Sequence, residues 1–194
     1  MEHTAPPISN RRHAITMVTR TRFVTRGTLV ALALVAAIVV VAQPVSAGAP
    51  SRARGAGQLR DLQLATVQPT DHATAQVVAT ESGGQTTVTL KVQALDHDAA
   101  GQVLGAHVHV GACIEGDGGG AGPHYNTTGG TTIDEQTEVW LDFTVASNGT
   151  GRATATVPFT IPADGARSVV IHAEHTNHVT GAAGPRWACL PVEF

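Results

Sequence analysis

From residue 62 onward, apolar and polar residues alternate in short runs. The clearest is Thr87-Val88-Thr89-Leu90-Lys91-Val92. A period of two sends successive side chains to opposite faces, so this run predicts a strand buried on one side. The same reading predicts strands over 62–68, 74–80, 86–94, 103–110, 138–145, 152–159, 168–173 and 186–193. Turn formers stand between several of them: Glu81-Ser82-Gly83-Gly84, Ser147-Asn148-Gly149 and Pro162-Ala163-Asp164-Gly165. A helical period of 3.6 never persists for ten residues. Eight short strands with hairpin punctuation predict an all-β fold, an eight-stranded Greek-key sandwich or flattened barrel. Two stretches, 111–137 and 174–185, fit no strand and read as long functional loops.

The first quarter of the chain has a different character. Arg11, Arg12, Arg20, Arg22 and Arg26 precede Leu29–Ala42, an uncharged apolar run of 14 residues, and Val45-Ser46-Ala47 follows. A basic region, a short apolar core and a small-x-small site predict a secretory signal peptide over 1–47. The run is shorter than the ~20 residues a membrane-spanning helix needs, so membrane attachment follows only if the leader stays uncleaved. Translation could start at Met1 or at Met17. Residues 48–60, GAPSRARGAGQLR, read as a flexible linker, and residues 61–194 as a single β domain secreted or otherwise outside the cytoplasm.

Charge narrows the partners. Five of the twelve Lys+Arg and one of the fifteen Asp+Glu lie before Gly48, which leaves seven basic and fourteen acidic residues, a formal charge of −7. A domain that acidic has no electrostatic footprint for nucleic acid. Nothing in the sequence specifies an oligomeric state. The two cysteines, Cys113 and Cys189, both lie in the exported part, where an oxidising compartment permits a disulfide; two buried thiols are the alternative.

Histidine is the informative residue. His107-Val108-His109 puts two imidazoles on one face of a strand, with Cα atoms about 7 Å apart, which suits two ligands of one metal. His124 follows in Gly122-Pro123-His124-Tyr125, and His172 ends the run Val169-Val170-Ile171-His172. His175 and His178 read as surface loop residues, with a secondary metal site or a copper-feeding role as the alternative.

Taken together, Gly105-Ala106-His107-Val108-His109-Val110-Gly111-Ala112-Cys113, Pro123-His124, the strand ending at His172, and Gly184-Pro185-Arg186-Trp187-Ala188-Cys189 strongly resemble the copper/zinc superoxide dismutases. The resemblance spans residues 62–194 and implies a set of roles. His107, His109 and His172 would hold copper. His124 would be the histidine that in the family bridges copper to zinc. Cys113 and Cys189 would form the family's disulfide. Arg186 would stand beside the copper and draw in the anionic substrate, superoxide. The implied reaction is disproportionation of superoxide to oxygen and hydrogen peroxide, with Arg186 and His124 as catalytic groups. A copper-binding or storage domain without catalysis is the alternative on the same scaffold.

The departures are as specific. The family's zinc-side histidines have no counterpart, because no histidine occurs between His124 and His172. One bridging histidine plus exposed carboxylates makes a poor tetrahedral zinc site, so zinc is not expected. The segment from His172 to Arg186 is also short, so the loop that narrows the family's copper channel reads as trimmed. Both features resemble the copper-only branch, in which a carboxylate hydrogen-bonds the far nitrogen of the bridging-type histidine. Glu138 and Asp142 are equal candidates for that partner.

Overall fold

A computed structural model describes residues 52–194. The signal peptide and cleavage site expected from the sequence lie outside the described residues. Among the described residues ten strands form: β1 (Arg52–Gln58), β2 (Arg60–Asp61), β3 (Thr74–Ser82), β4 (Gln85–Gln93), β5 (Val103–Leu104), β6 (Ala106–His109), β7 (Phe143–Thr144), β8 (Gly151–Val157), β9 (Ser168–His172) and β10 (Arg186–Pro191). Two four-stranded antiparallel sheets, in the orders β1-β3-β4-β8 and β2-β10-β9-β6, accompany the small pair β5-β7. The chain crosses from β4 to β6, returns as β8 beside β4, and crosses again to β9 beside β6. This is the all-β Greek-key sandwich that the alternation predicted, with no closed barrel among the described residues.

The β3–β4 hairpin follows directly from its sequence. Ser82 pairs with Gln85, so the turn is Gly83-Gly84 alone. Both glycines have left-handed φ, 61° and 79°, as a type I′ turn requires at its two central positions. Thr86, Val88, Leu90 and Val92 face inward and the residues between them face out. Their apolar side chains meet Val77, Leu104, Val108, Leu141, Ile171 and Leu190 in one core.

Three expectations are corrected. The linker expected over 48–60 is a strand from Arg52, paired along its length with β3. Gly55 reflects close packing rather than freedom, because a Cβ there would collide with the carbonyl of Pro191. The strand expected over 62–68 is a series of turns: Asp61 Oδ1 accepts from Gln63 N at 2.7 Å, Thr66 N bonds back to Gln63 O, and Leu64 and Val67 point to solvent. The strand expected over 103–110 breaks at Gly105, whose amide goes to Glu174 O instead of the sheet. A Cβ there would lie 2.6 Å from the Cβ of Ala183, so glycine admits the 174–183 loop against the strand.

Five of the residues singled out by sequence share one sheet. His107 and His109 sit on β6, opposite Val170 and Ser168 of β9. His172 ends β9, and Arg186 pairs with it from the start of β10. Farther along β10, Cys189 is disulfide-bonded to Cys113, which fixes the start of the 111–137 loop to this sheet.

Candidate metal centre

His107, His109, His124 and His172 converge, each offering one nitrogen within 4.8 Å of the others. That spread is slightly wider than the ~4 Å spanned by two opposed metal–nitrogen bonds of about 2 Å. His107 and His109 are wholly buried, His172 nearly so, and His124 is half-buried at the rim. The sheet supplies three of the four. The fourth arrives from the 111–137 loop, where Gly111 N and Val110 N bond to Ala121 O and Pro123 O and so return the chain to β6. At Gly111 a Cβ would strike the backbone of Gly120 and Ala121, so the return needs glycine.

The partners on the far side of each ring decide which nitrogen is free. His109 places Nδ1 3.0 Å from Gly122 O, and His172 places Nδ1 3.3 Å from Gly184 O. His124 places Nδ1 2.7 Å from Glu138 Oε2. Each of those oxygens accepts, so each Nδ1 carries the hydrogen and each Nε2 keeps its lone pair. His107 is reversed: Nε2 has a partner in Thr176, and Nδ1 is buried with none.

Two observations test whether this set fits a metal. A buried nitrogen without a partner costs free energy that a bound cation would recover. His109 Nε2 and His172 Nε2, both unprotonated by the argument above, lie 3.4 Å apart. Two lone pairs that close repel unless a cation sits between them. Four imidazoles suit copper among the first-row metals.

Protonation is suppressed as metal binding requires. Burial, reinforced by the neighbouring His124, holds His107 well below the usual imidazole range and pushes His109 down to about 2. Burial likewise pushes His172 to about 4, against the raising effect of Gly184 O. Burial alone would raise Glu138, but hydrogen bonds from His124, Trp140 and Asn126 outweigh it and keep the carboxyl below its ordinary value.

Glu138 and Asp142, equal candidates by sequence, take different places. Glu138 contacts His124, and its other contacts are Trp140 Nε1 at 2.8 Å and Asn126 Nδ2 at 3.0 Å. Asp142 does not reach His124; it accepts from Thr176 and Ala106. Arg186 lines the same open cavity as His124 and His172, a space of about 740 Å³ with mostly apolar walls that include Ile133 and Ala183. Its Nη1 donates to Gly118 O at 2.6 Å, which tethers the guanidinium at the cavity. His175 and His178 stay outside the cluster, their rings stacked 5.4 Å apart, with His175 Nε2 3.6 Å from Asp142 and His178 edge-on to Trp140. Sequence reasoning missed Thr176, Trp140 and Asn126. Thr176 meets His107 and Asp142 from far away in sequence and Asn126 meets Glu138 across a bridge, whereas Trp140 reaches Glu138 within its own segment.

A Greek-key β sandwich on which four imidazoles converge, three of them buried, is the architecture of a candidate histidine metal site. The family model for copper/zinc superoxide dismutase (SODC) matches residues 72–190, and the chain belongs to that family. No curated protein matches the chain.

Proposed function

We propose that the protein is an exported superoxide dismutase that works with copper and without zinc. The observation that carries this reading is the 2.7 Å contact between His124 Nδ1 and Glu138 Oε2. A carboxylate holds the nitrogen through which the family's bridging histidine would meet zinc, and it is itself anchored by Trp140 and Asn126. When bound, copper supplies the one-electron chemistry that turns one superoxide into oxygen and a second, with two protons, into hydrogen peroxide.

The chain's own residues supply the rest. His107, His109, His124 and His172 would hold the ion, as neutral donors. Arg186 gives the cavity a fixed positive charge in an acidic domain and would draw the small anion toward His124 and His172. Glu138 fixes the His124 tautomer, so that Nε2 is the atom able to take a proton from solvent and pass it to the departing peroxide.

Arg186 is the sharpest test, since a storage site has no use for an anion guide. Arg186→Glu should lower the second-order rate by ~10-fold or more, Arg186→Ala by less, and Arg186→Lys least, with copper content unchanged. The differences should shrink as salt rises from about 0.01 M to 0.1 M, because the screening length falls from roughly 30 Å to 10 Å. Parent-like rates for copper-loaded Arg186→Glu at low salt would remove the guiding role.

Export is part of the proposal. Cleavage after Ala47 would leave β1, which starts at Arg52, intact, and the disulfide is compatible with an oxidising compartment. The exported protein should begin at or near Gly48 by N-terminal mass analysis. Recovery of Leu29–Ala42 in mature material would contradict it.

A further inference from the structure

The outer face of the sheet β1-β3-β4-β8 carries a charge opposite to that of the domain. From Gly48 onward the chain has seven basic and fourteen acidic residues, yet these four strands hold Arg52, Arg54, Lys91 and Arg152 against a single acid, Glu81. Glu81 shares the inward parity of Val77 and Ala79, and its Oε1 accepts from Ile161 N at 2.8 Å. Alternation turns Arg54, Lys91 and Arg152 outward, and all three are exposed. Lys91 and Arg152 stand directly opposite each other in the ladder. Like charges so placed repel and weaken a sheet, and no carboxylate among the described residues pairs with either one. Arg54 lies two strands across and two residues along from Lys91, about 12 Å by strand spacing.

The surface between these charges is polar and already ordered. The hydroxyls of Thr87 and Thr156 are 3.0 Å apart, and those of Thr89 and Thr154 3.1 Å. Beside Lys91 a shallow hollow of about 410 Å³ is bounded by Thr74, Gln76 and Gln93, whose side chains have no hydrogen-bond partner among the described residues. Amides and hydroxyls both donate and accept, as the hydroxyls of a sugar do. The four strands contain no aromatic residue and none of the large exposed hydrophobic side chains. A bilayer would want an apolar wedge here, and a protein partner an aromatic anchor. The face also lies on the far side of the sandwich from the histidines. Val108 enters the shared core, so its neighbours His107 and His109 project from the opposite surface.

We propose that this face binds an acidic polysaccharide, with its carboxylates on Arg54, Lys91 and Arg152 and its hydroxyls on the threonines and glutamines. Bound there, the protein is held at a surface with its histidine cavity still open. The polysaccharide as ligand rests on the export proposed above; the anion-binding face does not.

The probe is polygalacturonate, titrated calorimetrically at low salt into the full exported protein, with neutral dextran and vesicles of anionic phosphatidylglycerol as comparisons. Polygalacturonate should bind and dextran should not. Binding should fade as salt rises, because the contacts are exposed charges. Lys91→Glu and Arg152→Glu should each weaken it ~10-fold, since a reversal removes an attraction and adds a repulsion. Arg167→Glu changes the net charge equally at a position off these strands, and should leave binding nearly unchanged. Lys91→Glu places opposite charges across the ladder, so it should hold or raise the melting temperature, which separates lost binding from lost folding. No binding of polygalacturonate, equal weakening by Arg167→Glu, or a preference for the vesicles would each overturn the inference. The assay needs no copper. A protein inactive toward superoxide that still binds polygalacturonate would sink the dismutase reading alone.

Discussion

The metal-free protein should lose more than ~10 °C of melting temperature between about pH 7 and pH 5, and the copper-loaded protein far less. The motive is the set of suppressed imidazoles. His107 lies well below its usual range, His109 near 2 and His172 near 4. In the unfolded chain all three titrate near 6.5. Their folded values are depressed, so the unfolded state binds more protons as pH falls below about 6.5, and stability falls with it. Each residue contributes up to about 1.4 kcal/mol per pH unit across that window. Mutual coupling lowers the sum, but ~3 kcal/mol at pH 5 is a large share of a typical domain's 5–15 kcal/mol. Glu138 adds little here, because its unfolded value is about 4.5 and its effect begins only near that pH. A bound cation holds the rings deprotonated, which is why copper should flatten the profile. Calorimetry of both forms across the range decides the matter; a flat metal-free profile would mean that the cluster protonates without strain.

Removing the disulfide should cost roughly 4 kcal/mol, because the bond closes a loop of 76 residues and so restricts the unfolded chain. Cys113 and Cys189 pack with Leu62, Ala121 and Val170 in a small cluster beside the main core. A Cys113→Ala/Cys189→Ala double variant avoids burying new hydroxyls there. The effect should extend to the site, since the bond ties β10, which begins at Arg186, to the loop that delivers His124. Denaturant midpoints of parent and double variant measure the first effect, and copper affinity measures the second. Equal midpoints would show that the loop is ordered in the unfolded state or that the bond is strained in the folded one.

What the sequence could specify follows from where each interaction lives. The β3–β4 hairpin was legible because alternation and a Gly-Gly turn are both local. β1 was not: Arg52–Gln58 contributes mostly backbone to its sheet, and Gly55 answers to Pro191, far away in sequence. The four histidines were legible through H-x-H spacing and the family resemblance. The choice between Glu138 and Asp142 was not, because it depends on how the 138–142 segment crosses β6, seen in the bridges His107–Trp140 and Asn126–Glu138. Thr176 was the least visible. A threonine in a polar loop gives no sign that it will be buried behind His107.

The proposed function requires one copper per chain, catalytically active on superoxide. Its most direct measurement is metal analysis of the purified, exported protein after loading with copper and zinc together, paired with stopped-flow decay of superoxide on the same sample. One tightly held copper per chain is expected, with no stoichiometric zinc after dialysis against a weak chelator and a second-order rate per copper above that of free copper ions. A copper-loaded protein no faster than free copper ions, or one that retains a full equivalent of zinc, would contradict it.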